Sequence, residues 1–213
     1  MRKCLTTFGF GWHAEILRVS LPTHARFCEA HGYDLVVWQP QAASRFPQVK
    51  GREASWMKVA VASKLLDDYD IVLWLDADVA VLRHDADIVE SRDGPPMQMV
   101  VHKTPDGMVP NCGVWVLRKP AKSFLDSLWA VPDDHRSVWW WEQSAVIRSL
   151  GGSTADGSAS VPSGPMWGEL QYQWNPHPMD ARGLPDDMRF FHATAIADRL
   201  QAMRTHIQAS GQQ

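Results

Sequence analysis

Cysteine is scarce in this 213-residue sequence: Cys4, Cys28 and Cys112 are all there is. They are scattered, odd in number and form no C-x-x-C pair, which suggests a reducing compartment. Asparagine is scarcer. Asn111 and Asn175 are the only two, and neither sits in an N-glycosylation sequon. No apolar run reaches the roughly 18 residues that span a membrane, and the N-terminus lacks the pattern of a signal peptide. No long basic run exists and the net charge is −3, so the chain does not advertise nucleic-acid binding. The expectation from these absences is a soluble, cytoplasmic protein. Hydrophobic residues at 45% and charged residues at 21% are ordinary for a globular chain, and the length suits one large domain. Tryptophan is in excess, at 11 residues. Its faces either stack on sugar rings and nucleobases or fill the core.

The most telling stretch is Asp70-Ile71-Val72-Leu73-Trp74-Leu75-Asp76-Ala77-Asp78-Val79. Five apolar residues bounded by acids read as a strand buried on both faces, the signature of a parallel sheet. In open α/β sheets ligands sit at the carboxyl ends of such strands. Asp76 and Asp78, two apart on extended chain, share a face. Paired carboxylates repel unless a cation joins them, and Mg²⁺ or Mn²⁺ suits oxygen ligands of this kind. The alternative is a strand-end turn with solvated acids.

Around this strand the chain alternates strands and helices, an α/β pattern. Residues 3–8 read as a first strand, whose Thr6 and Thr7 either touch a nucleotide or are simply good strand formers. Ser20-Leu21-Pro22 reads as a helix start, with the helix ending at His31 and Gly32 as its C′ residue. Residues 33–38 form a second strand and 39–51 a loop. A helix follows over 53–68, with Trp56, Val59, Ala60, Ser63 and Leu66 on one stripe. Lys58 lies off that stripe, as a solvated lysine would. Residues 97–102 read as a strand, 103–110 as a Pro/Gly loop and 114–117 as another strand. Asn111 beside Gly113 marks either a close approach of backbone to ligand or an ordinary turn. Pro120 opens a helix. Another carries Trp139, Gln143, Val146, Ile147 and Leu150 on its inward face, so Gln143 either finds buried partners or reaches a ligand. Residues 151–164 are rich in Gly and Ser and read as a flexible loop or a lid. A segment of aromatics and prolines (167–178), a short strand (189–192) and a last helix (198–208) complete the chain.

Several pieces occur together in one order: Thr6-Thr7 on the first strand, His31-Gly32-Tyr33-Asp34-Leu35, Trp56-x-Lys58, Trp74-Leu75-Asp76-Ala77-Asp78, Asn111-x-Gly113, Trp140-Trp141-Glu142-Gln143 and Phe191-His192. In this the sequence resembles GT-A glycosyltransferases, most closely the family of fungal α-galactosyltransferases and plant xyloglucan xylosyltransferases. The resemblance implies a Rossmann-like, mostly parallel sheet flanked by helices. It implies a single domain over 1–213, with a nucleotide-binding part at about 1–82 and a sugar and acceptor part at about 97–200. Asp76, Asp78 and His192 would hold Mn²⁺ or Mg²⁺ against the diphosphate of a nucleotide sugar, a UDP-sugar by preference. Thr6, Thr7, Phe8, Lys58, Ala77 and Gly113 would contact the donor. Asn111, Glu142 and Gln143 would line the sugar pocket, and transfer of a hexose or pentose would retain the anomeric configuration.

The sequence departs from these relatives in three places. No membrane anchor is expected from it, Glu142 stands where they often carry Asp, and Ala193-Thr194-Ala195 lacks their glycine-containing continuation. An anchor-free enzyme suggests a bacterial or viral setting, with a glycan, a protein or modified DNA bases as acceptor. Inversion with Glu142 as general base is the alternative stereochemistry. Two other readings remain from sequence. A haloacid-dehalogenase-type phosphatase would use Asp76 as nucleophile, although Ala80 stands where that family usually carries Thr or Val. A nucleotide-sugar-binding module without turnover is the other.

Overall fold

A computed structural model describes residues 1–211 apart from Gly51, Glu53, Arg92, Asp106 and the segments 131–140 and 154–163. Trp139, Trp140 and most of the Gly/Ser-rich loop therefore lie outside the described residues. The sheet has six strands in the order β2-β1-β3-β6-β5-β7. They are β1 (Lys3–Phe8), β2 (Asp34–Trp38), β3 (Ile71–Leu75), β5 (Met97–Thr104), β6 (Gly107–Arg118) and β7 (Trp167–Glu169). Both β2 and β3 run parallel to β1, and β7 runs parallel to β5, while β6 is antiparallel to its two neighbours. So β6 alone opposes the common direction, and the sheet is mostly parallel as expected. A second sheet pairs β4 (Val79–Val81) with β8 (Phe190–His192), antiparallel.

The run Ile71–Leu75 is buried at every position. Its alternate side chains feed opposite sides of the sheet. Val72 and Trp74 pack with residues of α2 (Met57–Leu65), α3 (Lys122–Ser127) and α4 (Trp141–Ser149). Ile71, Leu73 and Leu75 pack with Phe27 and Cys28 of α1 (His13–His31) and with Phe190. Ala80 and Phe191 of the two-stranded sheet pack with Ile16 of α1 and Met203 of α5 (Arg199–Ala209). Strand β2 hydrogen-bonds on the far side of β1 from β3. The connection through α2 therefore crosses back over β1, and the carboxyl ends of β1 and β3 flank the point where the winding reverses, the usual ligand position in such sheets.

Several local expectations are corrected. The first helix begins at His13, not at Ser20, and Pro22 lies inside it. Pro22 and Arg18 are both exposed, so water can serve the Arg18 carbonyl that proline leaves without a donor. Ser20 is not a cap; its hydroxyl donates to the carbonyls of Leu17 and Ala77. Gly32 is the left-handed C-terminal residue expected, with its N–H on Cys28 O. Residues 103–110 are not a loop but the two arms of a hairpin, closed by the Thr104–Gly107 pair. Pro110 is tolerated there because β3 pairs with β6 only from Val114 onward, so no neighbouring strand needs its missing N–H. Residues 39–51 contain two short 3-10 turns, Pro40–Arg45 and Pro47–Val49. Helix α2 has no solvated stripe: seven of its residues besides Lys58 are buried, and Lys58 is buried with them. Of the tryptophans, Trp74 and Trp115 are core residues paired across β3 and β6.

Candidate active site

The site forms where β3 ends. Leu75 is the last paired residue, and Asp76-Ala77-Asp78 turns the chain from the large sheet into β4, with Val79 N–H donating to Asp76 O at 3.0 Å. Helix α1 holds this turn through one face. Ser20 Oγ donates to Ala77 O at 2.7 Å, Thr23 Oγ1 accepts from Val81 N–H at 3.0 Å, and His24 Nε2 meets Val79 O at 2.7 Å. Residues 20, 23 and 24 share a helix face by spacing alone. Their polarity on a buried helix face is the signal that sequence reasoning passed over.

Strand β8 brings His192 to the same place. It pairs with Val79, and the preceding Phe190 and Phe191 are fully buried, which anchors the strand. A ligand atom from each of Asp76, Asp78 and His192 lies within 4.8 Å of the others. One divalent ion with ligands at about 2.1 Å holds its donors about 3–4 Å apart, as Asp78 Oδ1 and His192 Nε2 are at 3.4 Å, and two carboxylates with an imidazole suit a hard cation such as Mg²⁺ or Mn²⁺.

The tautomer of His192 follows from a backbone amide two contacts away. Gly113 N–H donates to Asn111 Oδ1 at 2.8 Å, so that atom is an acceptor. Asn175 Nδ2 donates to the same oxygen at 3.0 Å, which leaves Asn175 Oδ1 to face His192 Nδ1, also at 3.0 Å. Nδ1 must therefore carry the hydrogen, and Nε2 is the free position. It faces Asp78 Oδ1 at 3.4 Å. Two lone pairs so placed need a positive charge between them, and either a proton or a metal ion supplies it. An outer carbonyl fixing a ligating imidazole in this way is the usual second layer of a metal site. Asn175, fully buried, was not foreseen, because nothing local distinguishes it from a turn residue.

Three extra residues of β6 build the other wall. Met99 of β5 pairs with Trp115, and the next residue, Val100, pairs with Asn111, so Cys112, Gly113 and Val114 bulge from that ladder. The bulge turns its backbone to the site. Gly113 O accepts from Asp76 N–H at 2.8 Å, and Cys112 N–H donates to Gln143 Oε1 at 3.0 Å. A Cβ on Gly113 would overlap Cε1 of His192 and stand 2.8 Å from Asn111 Oδ1, so only glycine fits.

Each carboxylate of the site faces a cation. Lys58, 5% exposed, sets its ammonium 2.9 Å from Asp76 Oδ1, 2.9 Å from Glu142 Oε1 and 3.4 Å from Cys112 O. Burial alone would lower the pKa of this ammonium, but Asp76 and Glu142 outweigh burial and push it above the usual lysine value. Trp74 Nε1 donates to Asp76 Oδ1 at 2.7 Å. Glu142 is 4% exposed, and its Oε2 has no hydrogen-bond partner among the described residues. Arg199, at the start of α5, donates to Asp78 Oδ2 at 2.8 Å. Burial would raise the Asp78 carboxyl, yet His192 and Arg199 hold it well below the usual carboxylate range. Neither Lys58 as a buried counter-ion nor Arg199 as a partner of Asp78 follows from local sequence.

The remaining expected site residues are placed as follows. Thr6 is buried, with its hydroxyl donating to Val36 O at 3.0 Å and accepting from Trp38 Nε1 at 3.1 Å. Thr7 is buried, and its hydroxyl has no partner among the described residues. Phe8 stacks on Phe10 and meets the edge of Trp74. Ala77 is the buried middle of the Asp-Ala-Asp turn.

No family model matches the sequence, and no curated protein matches it. Solved structures do. A glycosyltransferase involved in glycosylation of the major capsid of PBCV-1 superposes with a TM-score of 0.68 at 16% identity, over 98% of this chain and 100% of that one. Galactosyltransferase LgtC, solved with donor and acceptor sugar analogs, gives 0.54 at 13% identity, over 99% and 95%. Mouse xyloside xylosyltransferase 1 gives 0.55 at 10% identity, over 93% and 99%. At such identities the likeness establishes the fold: this chain has the α/β GT-A fold of glycosyltransferases. No helix among the described residues is long and apolar enough to cross a membrane.

Proposed function

We propose that this protein is a metal-dependent glycosyltransferase that moves a hexose or pentose from a nucleotide sugar to an acceptor hydroxyl. The observation that carries the reading is the convergence of Asp76, Asp78 and His192, from distant parts of the chain, at the carboxyl end of the central strand of a GT-A fold. Asp76 and Asp78 supply oxygen ligands, and His192 supplies Nε2. A bound Mn²⁺ or Mg²⁺ would neutralise the leaving diphosphate as a Lewis acid. The donor is a UDP-sugar in this reading, with Thr6, Thr7 and Phe8 at the nucleotide end and Lys58, Ala77 and Gly113 near the diphosphate and sugar. Asn111, Glu142 and Gln143 border the sugar.

The transfer retains configuration in this proposal. A base that takes the acceptor proton has to be free to receive it. Glu142 is paired with the Lys58 ammonium through one oxygen and buried at the other, out of reach of an acceptor hydroxyl, which speaks against it as the base of an inverting reaction. The acceptor is a glycan or a protein. Hydroxymethylated DNA bases suit a chain of net charge −3 less well. The three free, buried cysteines suit a reducing, cytoplasmic setting.

The test is a panel of nucleotide sugars incubated with Mn²⁺ or EDTA, following release of nucleoside diphosphate. Metal-dependent release from at least one donor is expected, and NMR of the product should show a retained anomeric centre. No release from any donor, with equal UDP affinity in Mn²⁺ and EDTA, would overturn the reading.

A further inference from the structure

The acids at the site already have cations. Asp76 and Glu142 share Lys58, and Asp78 has Arg199. The two internal cations differ in freedom. The Lys58 side chain is 6% exposed and held among three acceptors, whereas that of Arg199 is 23% exposed and makes one charge-assisted bond here. Its guanidinium carbon lies 5.1 Å from the ring centre of Trp12, which is itself 57% exposed. Arg199 therefore sits at the open rim of the site with one end on a member of the ligand set.

A divalent cation entering this site meets two carboxylates that are each already paired. Summing the formal charges of Asp76, Asp78, Glu142, Lys58 and Arg199 leaves one net negative charge to receive a doubly positive ion. Opposed charges within a few ångströms interact strongly, and like charges repel as strongly. The cation alone turns that sum into one net positive charge, and the phosphates of a nucleotide arriving with it offset that charge. Resting on the glycosyltransferase reading, we propose that Arg199 is an internal counter-ion that competes with the metal for Asp78 and so makes metal binding depend on the nucleoside diphosphate. When the anion is present, the guanidinium can leave Asp78 Oδ2 for the phosphates without losing a charged partner. When it is absent, the bond to Asp78 holds the metal affinity down.

The measurement is Mn²⁺ binding, read from the loss of the free-ion electron paramagnetic resonance signal. It is made on the full chain and on Arg199→Gln and Arg199→Lys, alone and with UDP, GDP, CDP or ADP. Removing one charge-assisted bond that opposes the metal should tighten Mn²⁺ binding without nucleotide by about tenfold. In the parent, the productive nucleoside diphosphate should tighten Mn²⁺ binding by at least about tenfold, and in Arg199→Gln much of that gain should be lost. Arg199→Lys should follow the parent. Arg199→Met, which keeps an apolar stem beside Trp12, repeats the comparison if the glutamine variant melts early. If Arg199→Gln and the parent bind Mn²⁺ equally, with equal enhancement by nucleotide, the counter-ion role is wrong while the metal site stands. If neither binds Mn²⁺ under any condition, the metal site and the inference fall together.

Discussion

Lys58→Met tests the charge network most directly. The substitution keeps the stem in its buried place on α2 and deletes only the ammonium. In the parent that ammonium serves Asp76, Glu142 and the Cys112 carbonyl at 2.9, 2.9 and 3.4 Å. Asp76 keeps the Trp74 indole N–H, and its side chain is 28% exposed. Glu142 has no such relief, since its side chain is 5% exposed and its second oxygen has no partner among the described residues. Breaking a buried pair by removing one partner costs about 3–5 kcal/mol. In a chain of this length each kcal/mol moves the melting temperature by about 2–4 °C, so a fall of about 6–20 °C is expected. Because Asp76 and Glu142 raise the pKa of Lys58, the lysine is charged at neutral pH and the whole contribution is present there. The assay is urea unfolding at pH 7 in EDTA, followed by circular dichroism and tryptophan fluorescence. Adding Glu142→Gln to Lys58→Met should restore about half of the loss, because the stranded charge is gone. A loss below about 1 kcal/mol for Lys58→Met, or a double variant no better than the single one, would refute this account of the site's stability.

Three further outcomes follow from the geometry. Gly113→Ala should push the His192 ring aside and weaken Mn²⁺ binding by about tenfold or more, since one good ligand is lost; calorimetric titration showing parent-like affinity would disprove the close packing. Asn175→Leu should likewise weaken Mn²⁺ binding by about tenfold because the His192 tautomer is no longer fixed, and Asn175→Asp, which keeps the acceptor, should be milder; equal affinities in all three proteins would show that the asparagine chain does not orient the imidazole. His24 is fully buried, and burial lowers its pKa to about 4. The unfolded chain therefore takes up the proton first, so stability should fall as pH drops below about 6.5 and level off near pH 4, with a share for His24 of up to about 3 kcal/mol; if His24→Gln, compared by urea midpoints at pH 7 and pH 5, loses as much as the parent, that share belongs to other groups.

Legibility of the chain follows the range of the interactions. The buried strand 71–75 and its two acids were readable because five apolar residues and an i, i+2 pair are local facts. Gly32 was readable for the same reason. The start of α1 was not: Pro22 suggests a first turn, and only tertiary exposure lets it sit mid-helix. Lys58 misled because an amphipathic stripe presumes one wet face, and α2 has none. The 103–110 hairpin was hidden by Pro110, which is harmless only because β3 stops pairing at Val114. Arg199 and Asn175 left no trace, since their partners lie far along the chain; Arg199 and Asp78 are 121 residues apart. The GT-A fold itself was legible through the order of several weak motifs, and it is the fold that the superpositions establish.

The short pairing of β4 with β8 has a consequence for how the molecule is made. Two of the proposed ligands leave the ribosome early, on the turn after β3, and the third arrives only with Phe190–His192, followed by Arg199. A nascent or clipped chain ending before Phe190 has all six strands of the large sheet but only two of the three ligand residues. Closing the small sheet also joins segments more than a hundred positions apart, a step whose entropy must be met before its contacts form. Any ligand that engages both ends of the chain then adds its binding free energy to that closure. On the proposed metal site, cation retention would become a readout of completeness, because the full set of candidate ligands exists only in a chain made at least through His192 with its last strand in place.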